Sequence, residues 1–208
     1  MTALPEVKRR VTGAWMAGAF AVAFALAIAV IARAGAGHDG TITALRVTAR
    51  WSYAWFWPAY AGGALAAVLG SAFRPLAQRA RDLGLAFAAA QSVHAGLVAW
   101  LYHVAAHPPG MGTLAFFGTA LFFTYALALT SFPQFAERLP PASLRALRTV
   151  GVEFIALAFI VDFAVNPFGG SLSRLLAYLP FQLLAFAGVV LRIVAWQRRF
   201  IESRRLVG

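Results

Sequence analysis

The chain of 208 residues contains no cysteine and only one lysine. The missing cysteine excludes disulfides, thiolate metal sites, iron–sulfur clusters and a cysteine nucleophile. Charge is scarce too, at 12% of residues, where an average soluble domain carries about 25%. No Gly-rich phosphate loop, nucleotide-binding unit or serine–histidine–aspartate arrangement is legible; Gly62-Gly63 and Gly169-Gly170 read as helix packing and as a turn. What fills the chain instead is apolar, 61% of it, which points to lipid as the solvent. The formal net charge of +11 would suggest nucleic acid in a soluble protein. Here the basic residues sit between apolar runs, so membrane topology accounts for them and no nucleic-acid partner is expected.

The runs predict an all-α polytopic membrane protein, a bundle of six transmembrane helices forming one domain over 1–208, with the lipid bilayer as its first partner. The spans fall at about 11–32, 51–73, 83–106, 111–131, 150–165 and 172–194. The first follows Lys8, Arg9 and Arg10 and resembles a signal peptide, but its 22 uncharged residues exceed the roughly 7–15 of a signal core and match the roughly 20 that cross a bilayer. The uncharged stretch Leu83–Ala136 is too long for one helix and is divided at His107-Pro108-Pro109-Gly110, where proline removes backbone donors. Pro180 is expected to kink the sixth span.

With the N-terminus inside, 14 of the 18 basic residues are cytoplasmic and only Arg33, Arg46, Arg50 and Arg174 lie opposite. That asymmetry predicts both termini in the cytoplasm; the expected location is a bacterial inner membrane. The cluster Trp51, Tyr53, Trp55, Trp57 and Tyr60 reads as an interfacial belt at the outer start of the second span. The basic, partly apolar segment Arg192–Arg205 is expected to extend the last helix or to lie on anionic headgroups.

Polar groups at membrane depth are costly, and the short set here is Gln91, His94, Glu153, Asp162 and Gln182. His94 lies about 11 residues into the third span, about 16 Å deep at about 1.5 Å per residue. An imidazole there calls for a hydrogen-bond partner, a proton-transfer role or a metal. One reading is a haem ligand among small residues (Ala88, Ala89, Ala90, Ala95, Gly96); the other is a core histidine bonded to Gln91 or to another helix. His103 and His107 lie about 180° and about 140° away from His94 round the helix, so they read as interfacial histidines. Glu153 is placed to pair with Arg145 or Arg148, or to accept from His94; Asp162, near Asn166, reads as a solvated or capping group. The two acids also fit a proton or cation pathway.

Four segments then carry a resemblance. They are Arg50-Trp51-Ser52-Tyr53; Ala72-Phe73-Arg74-Pro75-Leu76; Arg79-Ala80-Arg81-Asp82-Leu83-Gly84-Leu85-Ala86-Phe87; and His94-Ala95-Gly96-Leu97-Val98-Ala99-Trp100-Leu101. In that order they resemble the ferric reductase-like transmembrane domain family, which includes the membrane subunit of the periplasmic methionine-sulfoxide reductase. The resemblance covers roughly residues 46–107. It implies a b-type haem held between the third and fifth helices, with His94 at the axial position on the third. The fifth departs from the pattern. It reads Leu147-Arg148-Thr149-Val150-Gly151-Val152-Glu153-Phe154 and holds no histidine, leaving Glu153 as the candidate second ligand. Three outcomes stay open: one histidine with a weaker partner, an altered site, or no haem.

The expected function is therefore membrane electron transfer, with haem b bound through His94. The chain shows no flavin or nicotinamide domain, so a protein redox partner or a quinol would supply the electrons. The alternatives are a haem-free six-helix scaffold or assembly partner, and a small proton-coupled transporter using Glu153 or Asp162.

Overall fold

The computed structural model describes residues 3–164 and 172–205. Asn166 and the Gly169-Gly170 turn lie outside the described residues. Among those described the structure is all-α, with no strand. Six long helices are labelled here α1 (Ala3–Ala34), α2 (His38–Leu69), α3 (Ala80–Val104), α4 (Met111–Leu129), α5 (Pro141–Phe163) and α6 (Leu172–Arg205). Short helical turns, Ser71–Phe73 with Arg74–Gln78 and Pro133–Ala136, occupy the α2–α3 and α4–α5 connections. Among the described residues four helices are long and apolar enough to cross a membrane: α1 over Arg10–Ala34, α3, α4, and α6 over Leu175–Arg204. The chain is thus an integral membrane protein by composition and length. α5 falls outside this set because Arg145, Arg148, Glu153 and Asp162 lie within it, and α2 because Arg46 and Arg50 in its first half and the tryptophans, tyrosines and Pro58 in its middle lower its hydropathy.

Several helix ends differ from the sequence expectation. α2 begins at His38, well before Trp51, and α5 begins at Pro141, before 150. Charge hid both starts. In α2 the buried residues Ala44, Thr48 and Ser52 recur every four positions, a helical stripe, while Arg46 and Arg50 lie about 160–200° round from Thr48. The two arginines therefore belong to the helix and not to an outer loop. The tryptophan–tyrosine cluster is corrected as well. It occupies the middle of α2, where Tyr53 and Tyr60 are buried, so these rings pack helices and are not a belt at a helix start. The break at Pro108-Pro109 stands as expected, and the Tyr102 hydroxyl donates to the Pro109 carbonyl at 3.0 Å.

The α1–α2 connection is only three residues long, and glycine makes it possible. Gly35 closes α1 with φ +84°, its N–H bonded to the Ile31 carbonyl at 2.8 Å. A Cβ at Gly40 would stand 1.9 Å from the Gly35 oxygen, so no other residue fits there.

The chain forms two compact units. The first comprises Met1–Phe56 and Arg81–Ile155. Its core is an alanine seam: Ala19, Ala23 and Ala27 of α1, Ala44 of α2, and Ala86 and Ala90 of α3, closed by Val93 and Leu97. Small side chains let helix backbones approach closely, which in lipid is the main source of packing energy. Thr12 donates to Asp82 at 2.7 Å and the Trp51 indole donates to the Ala19 carbonyl at 2.9 Å, tying α1 to α3 and α2. α4 and α5 pack through Phe116, Phe123 and Phe154.

The second unit comprises Trp57–Ala80 and Ala156–Gly208. The Trp57 indole donates to the Leu184 carbonyl at 2.7 Å, and Gly188 sits against the rings of Tyr60 and Trp57. Gln182, one of the intramembrane polar residues, is satisfied by donating to the Phe163 carbonyl. Gly62 and Gly63 give a matched test of this packing. A Cβ on Gly62 would stand 3.0 Å from Leu76 Cβ and 3.1 Å from its backbone carbon, whereas one on Gly63 meets nothing within 4 Å. Gly62→Ala is expected to lower stability by about 1–3 kcal/mol, the usual cost of overpacking. Gly63→Ala is expected to be neutral or to gain up to about 1 kcal/mol from helix propensity. Thermal unfolding of the two variants in detergent reads the difference.

Candidate functional site

Helices α2 and α3 run antiparallel, and their register is fixed by two contacts. Thr48 Oγ1 lies 3.1 Å from His94 Nδ1, and the rings of Phe56 and Phe87 stand 5.2 Å apart. Between these layers the register brings Ser52 of α2 level with Gln91 of α3. His94 and Gln91 flank the midpoint of α3, and Ser52 is close to the midpoint of α2. The result is a two-layer polar patch, Thr48–His94 above Ser52–Gln91, at the centre of both helices with phenylalanine beneath it.

The hydrogen bonds assign the imidazole tautomer. The Thr48 hydroxyl has one proton, and it points at its own helix, with the Ala44 carbonyl at 2.9 Å and the Leu45 carbonyl at 3.2 Å. The Thr48 oxygen therefore accepts from His94 Nδ1–H, and the lone pair resides on Nε2. A histidine whose one nitrogen donates to a fixed acceptor is oriented and made more basic at the other, the arrangement found behind metal-bound imidazoles. His94 is only partly covered although it sits at mid-helix. Its partners are thus on another helix, as one sequence reading had allowed, Thr48 and the Leu45 backbone, and not Gln91 or Glu153.

The second layer is unsatisfied among the described residues. Ser52 is fully buried with no hydrogen-bond partner for its hydroxyl, and Gln91 Oε1 is likewise buried and unpartnered. A polar group in hydrocarbon without a partner costs several kcal/mol, so such groups are usually tied to a function or a bound molecule.

The other predicted residues are not drawn into this patch. Glu153 lies exposed on α5, and Asp162, also exposed, follows nine residues later, about half a turn round. Arg145, Arg148, His103 and His107 are exposed. Gly151, on the α5 turn where the resemblance expects a ligand, is buried against α4. A Cβ there would meet Phe123 at 3.0 Å and Leu127 at 3.3 Å. Among the described residues no three histidine, aspartate or glutamate side chains come together as a metal site. An open apolar groove of about 440 Å³ runs between α1 and α2, walled by Trp15, Gly18, Trp51 and Trp55. It holds no titratable group.

A b-type haem, were one bound here, would find one histidine nitrogen, on His94, and α5 supplies no imidazole. Thr48 and Ser52 were missed from the sequence. Their signal was the spacing Thr41, Thr48, Ser52, seven and then four residues, which puts three hydroxyls on one helical face.

Thr48→Val keeps the shape and removes the acceptor of the Nδ1 proton. It is expected to cost about 0.5–1.5 kcal/mol in thermal or denaturant unfolding, the net worth of one hydrogen bond, while Thr48→Ser keeps the bond and stays within error of wild type.

No protein-family model, curated protein or solved structure matches the chain.

Proposed function

We propose that this chain is a membrane electron-transfer protein that binds b-type haem through His94 Nε2, within a six-span bundle whose termini are both cytoplasmic, in a bacterial inner membrane. The observation that carries the reading is the imidazole at mid-helix with Nδ1 within hydrogen-bond distance of the Thr48 hydroxyl. The ferric reductase-like resemblance around Arg74-Pro75-Leu76 and Leu83-Gly84-Leu85 supports it from the sequence side. When bound, haem supplies reversible one-electron chemistry at its iron. The residues of the chain do the rest. Thr48 orients the ring, and Ala86 and Ala90 hold α3 close against α1 and α2. The apolar helices exclude water. Electrons arrive from a separate partner, a redox protein or a quinol.

The direction of helix contacts supports six crossings. α1 and α2 are antiparallel, pairing Trp15 with Trp55 and Ala19 with Trp51. α2 and α3 are antiparallel through Thr48–His94 and Phe56–Phe87. α4 and α5 are antiparallel through Phe116–Phe154 and Phe123–Gly151. α2 and α6 run parallel, through Trp57–Leu184 and Val68–Arg198. A chain that crosses six times has this order of directions. The absence of native cysteine makes the topology directly testable. Single cysteines at Gly37 and Leu139 are expected to react with a membrane-impermeant maleimide from the periplasmic and cytoplasmic side respectively.

Haem content is the primary test. The purified protein is expected to show a pyridine haemochrome of b type at about one haem per chain, and a protein that stays colourless after haem is supplied during expression refutes the reading. One observation favours a haem-free scaffold instead: the Gly151 position is closed by Phe123. A colourless protein that co-purifies with a specific subunit would establish that alternative. The transporter reading gains no geometric support, because Glu153 and Asp162 do not share a face of α5.

A further inference from the structure

Helix α6 does not stop at the bilayer. About 20 residues cross the hydrocarbon, which brings a helix starting at Leu172 to about Arg192. The helix nevertheless continues to Arg205. Two arginines of this extension are tied to α2. Arg192 Nη1 donates to the Tyr60 carbonyl at 3.2 Å, with its guanidinium 4.6 Å from the Tyr60 ring. Arg198 Nη1 donates at 3.1 Å to the carbonyl of Val68, in the last turn of α2, where carbonyls lack helical partners and the helix dipole is negative. α2 ends one residue later, at Leu69.

The opposite side of the extension is apolar and uncovered. Trp196 is 66% exposed, and Ile193, Phe200 and Ile201 are each about half exposed. Trp196 and Phe200 stack at 5.8 Å with planes 19° apart, and the Arg204 guanidinium lies 4.6 Å over the Phe200 ring. These three residues form a ladder with a spacing of four. Arg199, exposed, sits beside Trp196, about 60° round the helix. Glu202, the one acid in the segment, is about 160° away from Phe200. An apolar strip edged by cations, with its acid turned aside, at the depth where a helix leaves the hydrocarbon, is complementary to a lipid with an anionic headgroup.

We propose that the Ile193–Arg204 segment is a binding site for an anionic phospholipid of the cytoplasmic leaflet. Arg199 and Arg204 take headgroup phosphates, Trp196 and Phe200 lie at the headgroup boundary, and Ile193 meets the acyl chains. The inference is independent of haem binding and uses the C-terminus-inside orientation only to name the leaflet.

Tryptophan quenching by lipids brominated on their acyl chains tests this on the full chain in nanodiscs. At equal mole fraction, brominated phosphatidylglycerol is expected to quench more than brominated phosphatidylcholine. That excess is lost in Trp196→Phe and in Arg199→Gln/Arg204→Gln, and retained in Arg199→Lys/Arg204→Lys, with helical content by circular dichroism unchanged throughout. Equal quenching by the two lipids in the wild type overturns the proposal. So does an excess that survives the glutamine pair, which would place the preference elsewhere. A Trp196 contribution insensitive to both lipids also overturns it, since the strip would then be covered by protein.

Discussion

His94→Ala is expected to yield a helical, membrane-inserted protein with no b-type haem absorbance, at least a tenfold loss of bound haem per chain. The size follows from ligation. With no histidine on α5, one imidazole would supply the nitrogen ligation of a bound haem, and its removal would leave no imidazole in the patch. The fold should survive, because the ring bonds only the Thr48 hydroxyl and the Leu45 backbone among the described residues, and a neutral bond of that kind contributes about 0.5–1.5 kcal/mol. Circular dichroism and elution volume report the fold while the Soret band reports the site, so a destabilised protein is distinguished from an unligated one. Glu153→Gln in parallel decides the second axial position. If Glu153 binds iron the spectrum shifts; if it remains the exposed residue that it is here, the spectrum is unchanged.

Ala90→Leu is expected to be the most damaging substitution outside the polar patch. Ala90 is completely buried in the seam shared by α1, α2 and α3, together with Ala19, Ala23 and Ala86, which are also 0% exposed. Inserting a longer side chain there forces the helix axes apart. Overpacking of this kind costs about 1–3 kcal/mol and occasionally more. In lipid no hydrophobic gain offsets it, since helix association already depends on close contact. The matched control is Ala99→Leu, at an exposed position on the same helix, which is expected to be neutral. Thermal unfolding and detergent-soluble yield measure both. Because the seam lies beside Val93 and His94, Ala90→Leu should also lower haem occupancy without altering the ligand.

The sequence exposed the helix content, the break at His107–Gly110, and His94 as the group needing an account. Hydropathy reads those features directly, since a charge-free run over Leu83–Ala136 and a Pro-Pro-Gly interruption have few structural solutions. The starts of α2 and α5 were not legible. Arg46 and Arg50 lower the hydropathy of a stretch whose helical stripe, Ala44–Thr48–Ser52, is made of small residues that a hydropathy scale scores weakly. The role of the α2 aromatics was hidden for a related reason. An amphipathic ring at an interface and one packed between helices have the same composition, and only the added turns before Trp51 move the cluster from helix start to helix middle. Thr48 as the partner of His94 depends on interhelix register, which is long-range information that no local pattern in α3 contains.

The central claim is that His94 Nε2 is an iron ligand, and chemical rescue tests it most directly. His94→Gly leaves a gap the size of the imidazole, with Thr48 still present to hold an exogenous ring. The absorbance spectrum of that variant, loaded with haem and titrated with imidazole, is expected to regain the wild-type Soret position and b-type α band. A variant that binds haem with the wild-type spectrum before any imidazole is added, or a well-folded variant whose spectrum imidazole never restores, would contradict the account.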